Sequence, residues 1–453
     1  MELLASVNDY INGIVWGPPM LILIVGTGIY LTCRSGFFQV SKIPVWWKGT
    51  FGQIFAKADK ANLGGNITPF QAVSTALAST VGTGNIVGVA TAIVRGGPGA
   101  IFWMWFSAFF GMVTKFSEVT LAVKFRETDE NGVYHGGPMY YLEKGCNMKW
   151  LAVIFAIFAT LATFGIGNMT QANSVANAFN TFGVPTVATG IVIAILAGLV
   201  IIGGIKRIGA VTEKLVPFMA VFYIIGAVII ICANGAMIPH AFGLIFENCF
   251  SAEAIGGGIM GYVIMQAMRF GVARGVFSNE AGLGSAPIAH AASSNTDPVR
   301  QGVWGVFEVF MDTIVICSLT GLVILTSGIE NFNDFTGADL TMAGFATTFG
   351  PVGDIFVTIG LACFAFSTIL GWSYYGQQSL GYLTKNNKVW DMIYKVIFTL
   401  LTIVGAIGGL TMIWDIADTL NGLMAIPNLV GLLILGKVVM DLMKKYVKEG
   451  TSL

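Results

Sequence analysis

The chain predicts an all-α integral membrane protein of about eleven transmembrane helices, and three observations carry that prediction. It is 55% hydrophobic and 11% charged, with a mean hydropathy of +0.76; ordinary soluble domains carry about 25% charged residues. Its apolar stretches are continuous. Ile191 to Gly204 and Val216 to Cys232 show no polar/apolar alternation, so they read as helices and not as barrel strands. Lysines and arginines collect in alternate connecting loops, the charge pattern of a multi-pass protein.

The expected spans are 13–33, 69–95, 98–123, 150–180, 185–204, 210–234, 255–292, 302–328, 352–380, 390–410 and 412–443. The first follows acidic Glu2 and Asp9, so it reads as a retained helix and not a cleaved leader. Residues 34–68 are too polar to span. Phe37, Phe38, Trp46, Trp47, Phe51 and Phe55 are interleaved with lysines there, which fits an amphipathic helix at the inner interface or a packed cytoplasmic connector. Residues 126–147 are expected to form a turn-rich cytoplasmic loop, and acidic 328–351 an outer loop.

The basic residues group on one side. They are Arg34, Lys42, Lys48, Lys57 and Lys60; Lys124, Arg126, Lys144 and Lys149; Lys206, Arg207 and Lys214; Arg300; Lys385 and Lys388; and Lys444, Lys445 and Lys448. The other side has Arg95 at a helix end. The N-terminus is therefore expected outside and the C-terminus in the cytoplasm of a cell-membrane protein. An odd number of crossings requires the same. Four regions follow: 1–68, an N-terminal helix and interfacial segment; 69–234 and 255–443, two halves of a core; and 444–453, a cytoplasmic tail.

Net charge is zero, so there is no nucleic-acid footprint. The six cysteines (Cys33, Cys146, Cys232, Cys249, Cys317, Cys363) are scattered and read as small hydrophobes. No P-loop, HExxH or GxSxG motif argues for an enzyme, and no cofactor is implied. Channels commonly ring one pore with several subunits; here one chain carries a pseudo-symmetric pattern.

That pattern lies in two interrupted spans. The second holds Ser79-Thr80-Val81-Gly82-Thr83-Gly84-Asn85, and the seventh holds Arg274 to Pro287, with Glu280, Gly282 and Gly284 between. Glycine costs about 1 kcal/mol and proline about 3 in a helix interior. With the first span set aside, the interrupted spans lead the two halves of the core. An odd number of helices per half inverts the second against the first, a layout that points to a transporter's binding site. Freed N–H groups at Gly82, Thr83 and Gly84 suit a carboxylate; carbonyls near Thr80 and Phe277 suit an ammonium. The alternative is that these glycines allow close helix packing.

Phe164, Asn168 and Gln171 recur at helical spacing; the two polar side chains either face a ligand or join helices. Arg269 and Arg274 are expected to pair with Glu308 and Asp312 across neighbouring helices, and Lys115 with Glu118 within one helix. His135, His240 and His290 look unremarkable, which weighs against, and leaves as the alternative function, a proton-coupled amino acid symporter.

Gly96-Gly97-Pro98-Gly99-Ala100-Ile101-Phe102-Trp103-Met104-Trp105, with Ser79 to Gly88, Tyr134 to Tyr141 and Gly275 to Pro287, resembles the alanine or glycine:cation symporter family over essentially the whole chain. The resemblance implies the LeuT fold, about ten core helices in two inverted halves, and sodium-coupled uptake of alanine or glycine. It implies a sodium site at the carbonyls of Ala78, Val81 and Phe364 and the hydroxyls of Ser367 and Thr368. A second sodium would use Asn85 and the Thr80 carbonyl. The alternative for Ser367 and Thr368 is backbone capping. Substrate contacts are expected from Thr80, Gly82, Thr83, Gly84, Asn85, Phe164, Asn168, Gln171, Phe277, Ser278, Asn279 and Trp372. Trp372 lies four residues after Thr368 on the same helix face and is expected to limit side-chain size; its alternative is an interfacial anchor.

Overall fold

Helix starts follow the capping chemistry of the sequence. A computed structural model describes residues 2–54, 63, 66–250, 258–408 and 411–449. Helix α1 (Pro18–Arg34) continues a shorter helix, Glu2–Val15. Thr68 caps α2 (Pro69–Thr80): its Oγ1 accepts from Gln71 N at 3.1 Å, Gln71 Oε1 accepts from Thr68 N at 3.1 Å, and Pro69 takes the first helical position. At Val81 the backbone is extended (φ −78°, ψ 91°). Helix resumes at Gly84 as a wide turn, Gly84–Gly88, and continues to Gly96, bent 47° from α2.

Then come α3 (Ala100–Phe125), α4 (Lys149–Phe164), a wide turn Gly165–Met169, α5 (Thr170–Asn180), α6 (Thr186–Ile201) and α7 (Gly204–Ala233). The second half runs α8 (Gly258–Asn279), α9 (Ala286–Ala291), α10 (Pro298–Val309), a wide turn Phe310–Cys317 leading into Ser318–Thr326, α11 (Pro351–Thr384), α12 (Lys388–Ile407) and α13 (Thr411–Lys448). Asp297 caps α10 by accepting from Val299 N and Arg300 N at 2.9 and 3.1 Å.

Among the described residues eight helices are long and apolar enough to cross a bilayer, nine with the bent pair. The shorter apolar α6 and the α8/α9 pair occupy the two other expected spans. Both interruptions fall within the two glycine-bearing stretches. α2 packs against α7 and α11, α3 against α8 and α10, α4 against α11 and α13, and α6 against α12.

Three segments differ from expectation. Residues 126–147 are not a plain loop: β1 (Glu127–Thr128) pairs antiparallel with β2 (Tyr134–His135), and helix Pro138–Lys144 follows. Its Met139, Tyr141 and Leu142 are fully buried, because this apolar run packs under α4 and α13. Helices also form at Ile238–Phe250 and Asp339–Phe349. In the segment after α1, helix Ile43–Ile54 packs one face on α10. Phe38 and Trp46 are buried while Phe37 and Trp47 are exposed, so this stretch has one packed and one open aromatic face. Phe55, Lys57 and Lys60 lie outside the described residues, as do the start of the 255–292 span, the end of the 390–410 span and the last residues of the tail.

Candidate functional site

Unwinding a helix inside an apolar core frees backbone groups that need partners. At the first break two of those groups go to side chains. Gly82 N–H donates to Asn85 Oδ1 at 2.8 Å, and Thr83 N–H donates to Gln171 Oε1 at 3.3 Å. Gln171 is held in turn by its Nε2, which donates to Ile166 O at 3.0 Å inside the wide turn between α4 and α5. Asn85 sends its Nδ2 to Asp312 Oδ1 at 2.7 Å. Asp312 also accepts from Ser278 Oγ at 3.0 Å and Thr313 Oγ1 at 2.7 Å. One buried carboxylate thereby ties the first break to the end of α8.

The second break is held by backbone geometry and another carboxylate. Glu280, Gly282 and Gly284 have φ of 57°, 92° and 83°, a region that suits glycine and strains glutamate. Glu118 Oε1 accepts from Gly282 N at 3.0 Å, Gly284 N at 3.1 Å and Asn428 Nδ2 at 2.5 Å. Asn279 caps Ala281 N through Oδ1 at 2.9 Å and gives its Nδ2 to Thr313 Oγ1 at 3.0 Å.

The two breaks face each other closely. A β-carbon on Gly84 would lie 3.2 Å from Ser278 Cα, and one on Gly82 would lie 2.4 Å from Thr368 Oγ1. Absent side chains at these glycines let α8 and α11 approach the first break. Beside Gly82, Ser367 Oγ lies 3.2 Å from Ala78 O and 2.8 Å from Phe364 O, and Thr368 Oγ1 lies 3.0 Å from Phe364 O. A hard cation of calcium's size sits about 2.3–2.6 Å from its oxygens, which puts neighbouring ligands about 3.3–3.7 Å apart. The separations here, 2.8–3.2 Å, are shorter than that spacing, and the oxygens are buried and neutral. In the structure as it stands the hydroxyls back-bond Phe364 O, the capping alternative.

Trp372 is not an interfacial anchor. It is 2% exposed and meets Tyr375 edge-on at 5.5 Å. It fits because position 167 is glycine: a β-carbon there would lie 2.2 Å from Trp372 Cβ.

Several expected contacts go elsewhere. Asn168 joins helices: its Nδ2 donates to Phe398 O at 2.5 Å and its Oδ1 accepts from Thr402 Oγ1 at 2.8 Å, both on α12. Phe164 packs on the same helix, 5.3 Å from Tyr394 and 6.2 Å from Phe398 between ring centroids. Both belong to the face of their helix that meets α12. Arg269 and Arg274 do not reach Glu308 or Asp312. They share the wall of a cavity of about 380 Å³ with Arg95, Asp415 and Asp418, where the Arg274 guanidinium lies 5.6 Å over the Phe277 ring. Lys115 pairs with Glu308 at 3.3 Å, leaving Glu118 to the second break. His290 is fully buried, with Nε2 3.1 Å from Glu308 Oε2. Asp312 and Glu118 hydrogen-bond the two breaks, where the sequence pointed to ion pairs. Their signal was an acidic residue in an apolar span; their partners were not visible.

The chain is 50% identical to the sodium/alanine symporter AgcS of Methanococcus maripaludis, over 98% of each chain. It is 36% identical to the probable sodium/glutamine symporter GlnT of Bacillus subtilis, over 99% of this chain and 92% of that one. Its fold superimposes on MhsT, solved in complex with L-phenylalanine, with a TM-score of 0.58 at 15% identity, covering 82% of this chain and 94% of that one. That likeness concerns the LeuT fold alone. The pattern of the sodium:alanine symporter family matches residues 1–452. With two broken helices facing a set of neutral oxygens, and relatives that match end to end, the chain belongs to the sodium:alanine symporter family.

Proposed function

We propose that this multi-pass membrane protein carries alanine or glycine into the cell together with sodium, by alternating access around the two breaks. The observation that carries the reading is the convergence of Ala78 O, Phe364 O, Ser367 Oγ and Thr368 Oγ1 beside Gly82. Sodium takes these oxygens and the Val81 carbonyl. The substrate carboxylate meets the N–H groups of Gly82, Thr83 and Gly84, displacing the Gln171 and Asn85 oxygens that hold two of them. Thr80, Phe277 and Ser278 complete the wall, and Asn279 supports it by capping Ala281. Trp372 leaves room for a hydrogen or a methyl group. AgcS is a sodium/alanine symporter by name, in keeping with this reading. The N-terminus lies outside and the C-terminus in the cytoplasm.

The test is uptake into proteoliposomes with a panel of labelled amino acids. Saturable alanine or glycine uptake driven by an inward sodium gradient is expected. Uptake that ignores sodium, or that prefers bulky or charged substrates, overturns the reading.

A further inference from the structure

The outer side of the helices that carry the site holds a groove that transport does not use. It is a cavity of about 460 Å³ between α5, α6, α7 and α11, with Phe179, Ala188, Thr189, Leu196, Leu215 and Phe366 in its walls. Its lining is apolar, with no charged side chain among the described residues. The surface beside it is apolar too: Ile191, Ile195 and Leu199 of α6 are exposed. On a multi-pass membrane protein such a face meets lipid, so the groove opens into hydrocarbon.

Water does not fill a cavity of this kind, because a buried water needs about 2–4 polar partners and an apolar cavity stays dry. Left empty, the groove would cost its lining the dispersion contacts of one whole side. Moving a chain from the bilayer into the groove gains nothing from the hydrophobic effect, so its occupant is held by packing. A flexible acyl chain follows a concave wall that the side of a second helix would bridge without filling.

One polar group sets the direction of the chain. Thr189 lines the groove and is 7% exposed, and its hydroxyl has no hydrogen-bond partner among the described residues. The Pro185 carbonyl next to it already accepts from Thr189 N at 3.2 Å. An unpaired buried hydroxyl is costly. Thr189 stands one turn into α6, and the neighbouring Gly190 packs beside Ala406, next to the last residue of α12. Two helix ends at one level mark the edge of the membrane, where the ester or ether oxygens of a glycerolipid lie. From there the groove reaches Leu215 and Phe366, near the middles of α7 and α11.

Two of its walls also carry the site. α5 bears Gln171, which holds Thr83 N, one turn before Val175 of the groove. On α11, Ala362 and Phe366 line the groove, whereas Ser367 and Thr368 meet Ala78 O and Gly82. One helix thickness, about 10–12 Å, separates the groove from the sodium oxygens. We propose that the groove is a lipid-binding site: a glycerolipid seats one acyl chain in it, accepts a hydrogen bond from Thr189 through a linkage oxygen, and braces α5 and α11 around the sodium oxygens. The lipid seat stands on the groove alone; its effect on sodium rests on the transport reading above.

The experiment is native mass spectrometry of the full-length protein, delipidated in detergent and titrated with dioleoyl phosphatidylglycerol. One tightly held lipid is expected on the wild type. Ala188→Trp fills the groove from α6 and should lose that lipid. Thr189→Val keeps the shape, removes the hydroxyl, and should weaken lipid binding by about two- to 13-fold. Leu199→Trp, on the exposed face of α6, should hold lipid as the wild type does. Binding of labelled alanine against sodium is then measured with and without the lipid. Removing the lipid should raise the sodium needed for half-maximal binding in the wild type. It should leave Ala188→Trp unmoved, because the indole takes the place of the chain.

A wild type that holds no lipid overturns the proposal, as does an equal lipid count in Ala188→Trp. A dimer that Ala188→Trp splits makes a second copy the occupant and overturns it too. If Ala188→Trp does not fold, unchanged lipid affinity in Thr189→Val overturns it. A sodium dependence in the wild type that ignores the lipid overturns the bracing of the site. Absence of alanine binding in every sample overturns the substrate reading and leaves the lipid count to decide this one.

Discussion

Removing the Ser367 and Thr368 hydroxyls together tests the sodium site most directly. In the double variant Ser367→Ala/Thr368→Ala, two of the five proposed oxygens are lost. A polar contact to a charged group is worth about 1.5–3 kcal/mol, so losing even one raises the sodium needed for half-maximal alanine binding by about 13- to 160-fold. The fold should tolerate the change. Both hydroxyls bond the Phe364 carbonyl of their own helix, at 2.8 and 3.0 Å, and that carbonyl also serves the helix ladder. Such neutral bonds are worth about 0.5–1.5 kcal/mol each. The assay is binding of labelled alanine as a function of sodium at fixed ionic strength. Thr75→Ala is the control, because its hydroxyl is equally buried on α2 but faces Thr212 Oγ1 at 3.1 Å. An unchanged sodium dependence in the double variant, or an equal shift in Thr75→Ala, refutes the assignment.

Three further outcomes are expected. Trp372→Ala should weaken alanine binding by about 1–3 kcal/mol, or about five- to 160-fold, and admit valine and leucine as competitors; an unchanged rank order of competitors moves the size filter elsewhere. Gly84→Leu should abolish alanine binding while the detergent-solubilised protein stays monodisperse, because a β-carbon there already lies 3.2 Å from Ser278 Cα; normal binding reduces this glycine to a packing role. Asn168→Ala should lower thermal stability, at a cost of about 1–3 kcal/mol for the unpaired groups left on α12, and leave the order of competing substrates as it is; altered selectivity returns Asn168 to the substrate wall.

Much of the fold was legible in the sequence because it rests on local properties. Continuous apolar runs mark spans wherever they occur. Gly282 and Gly284 interrupt their helix through a positive φ that suits glycine, while at the first break Val81 is the extended residue and Gly82 and Gly84 leave room for Thr368 and Ser278. Ser367 and Thr368 were singled out by the family resemblance, and the structure places the Ser367 hydroxyl 3.2 Å from Ala78 O. The helix Pro138–Lys144 was missed for the opposite reason. Its run is too short to announce a span, and packing under α4 and α13 is what buries it.

By itself, then, the sequence determined a helical membrane protein with two interrupted spans leading two related halves, and the identity of the groups those interruptions set free. Only the tertiary structure decided which partners those groups and the buried charges take. Lys115 passes over Glu118, three residues away, for Glu308, 193 positions on. Glu118 reaches instead to Gly282, Gly284 and Asn428. Asn168 turns to α12 while Gln171, nearly one turn later, turns to the first break. Spacing along a helix reports only neighbours on that helix. A polar group sealed in an apolar core takes whatever donor, acceptor or charge the packed helices bring within hydrogen-bond reach, and that choice exists only once the helices have met.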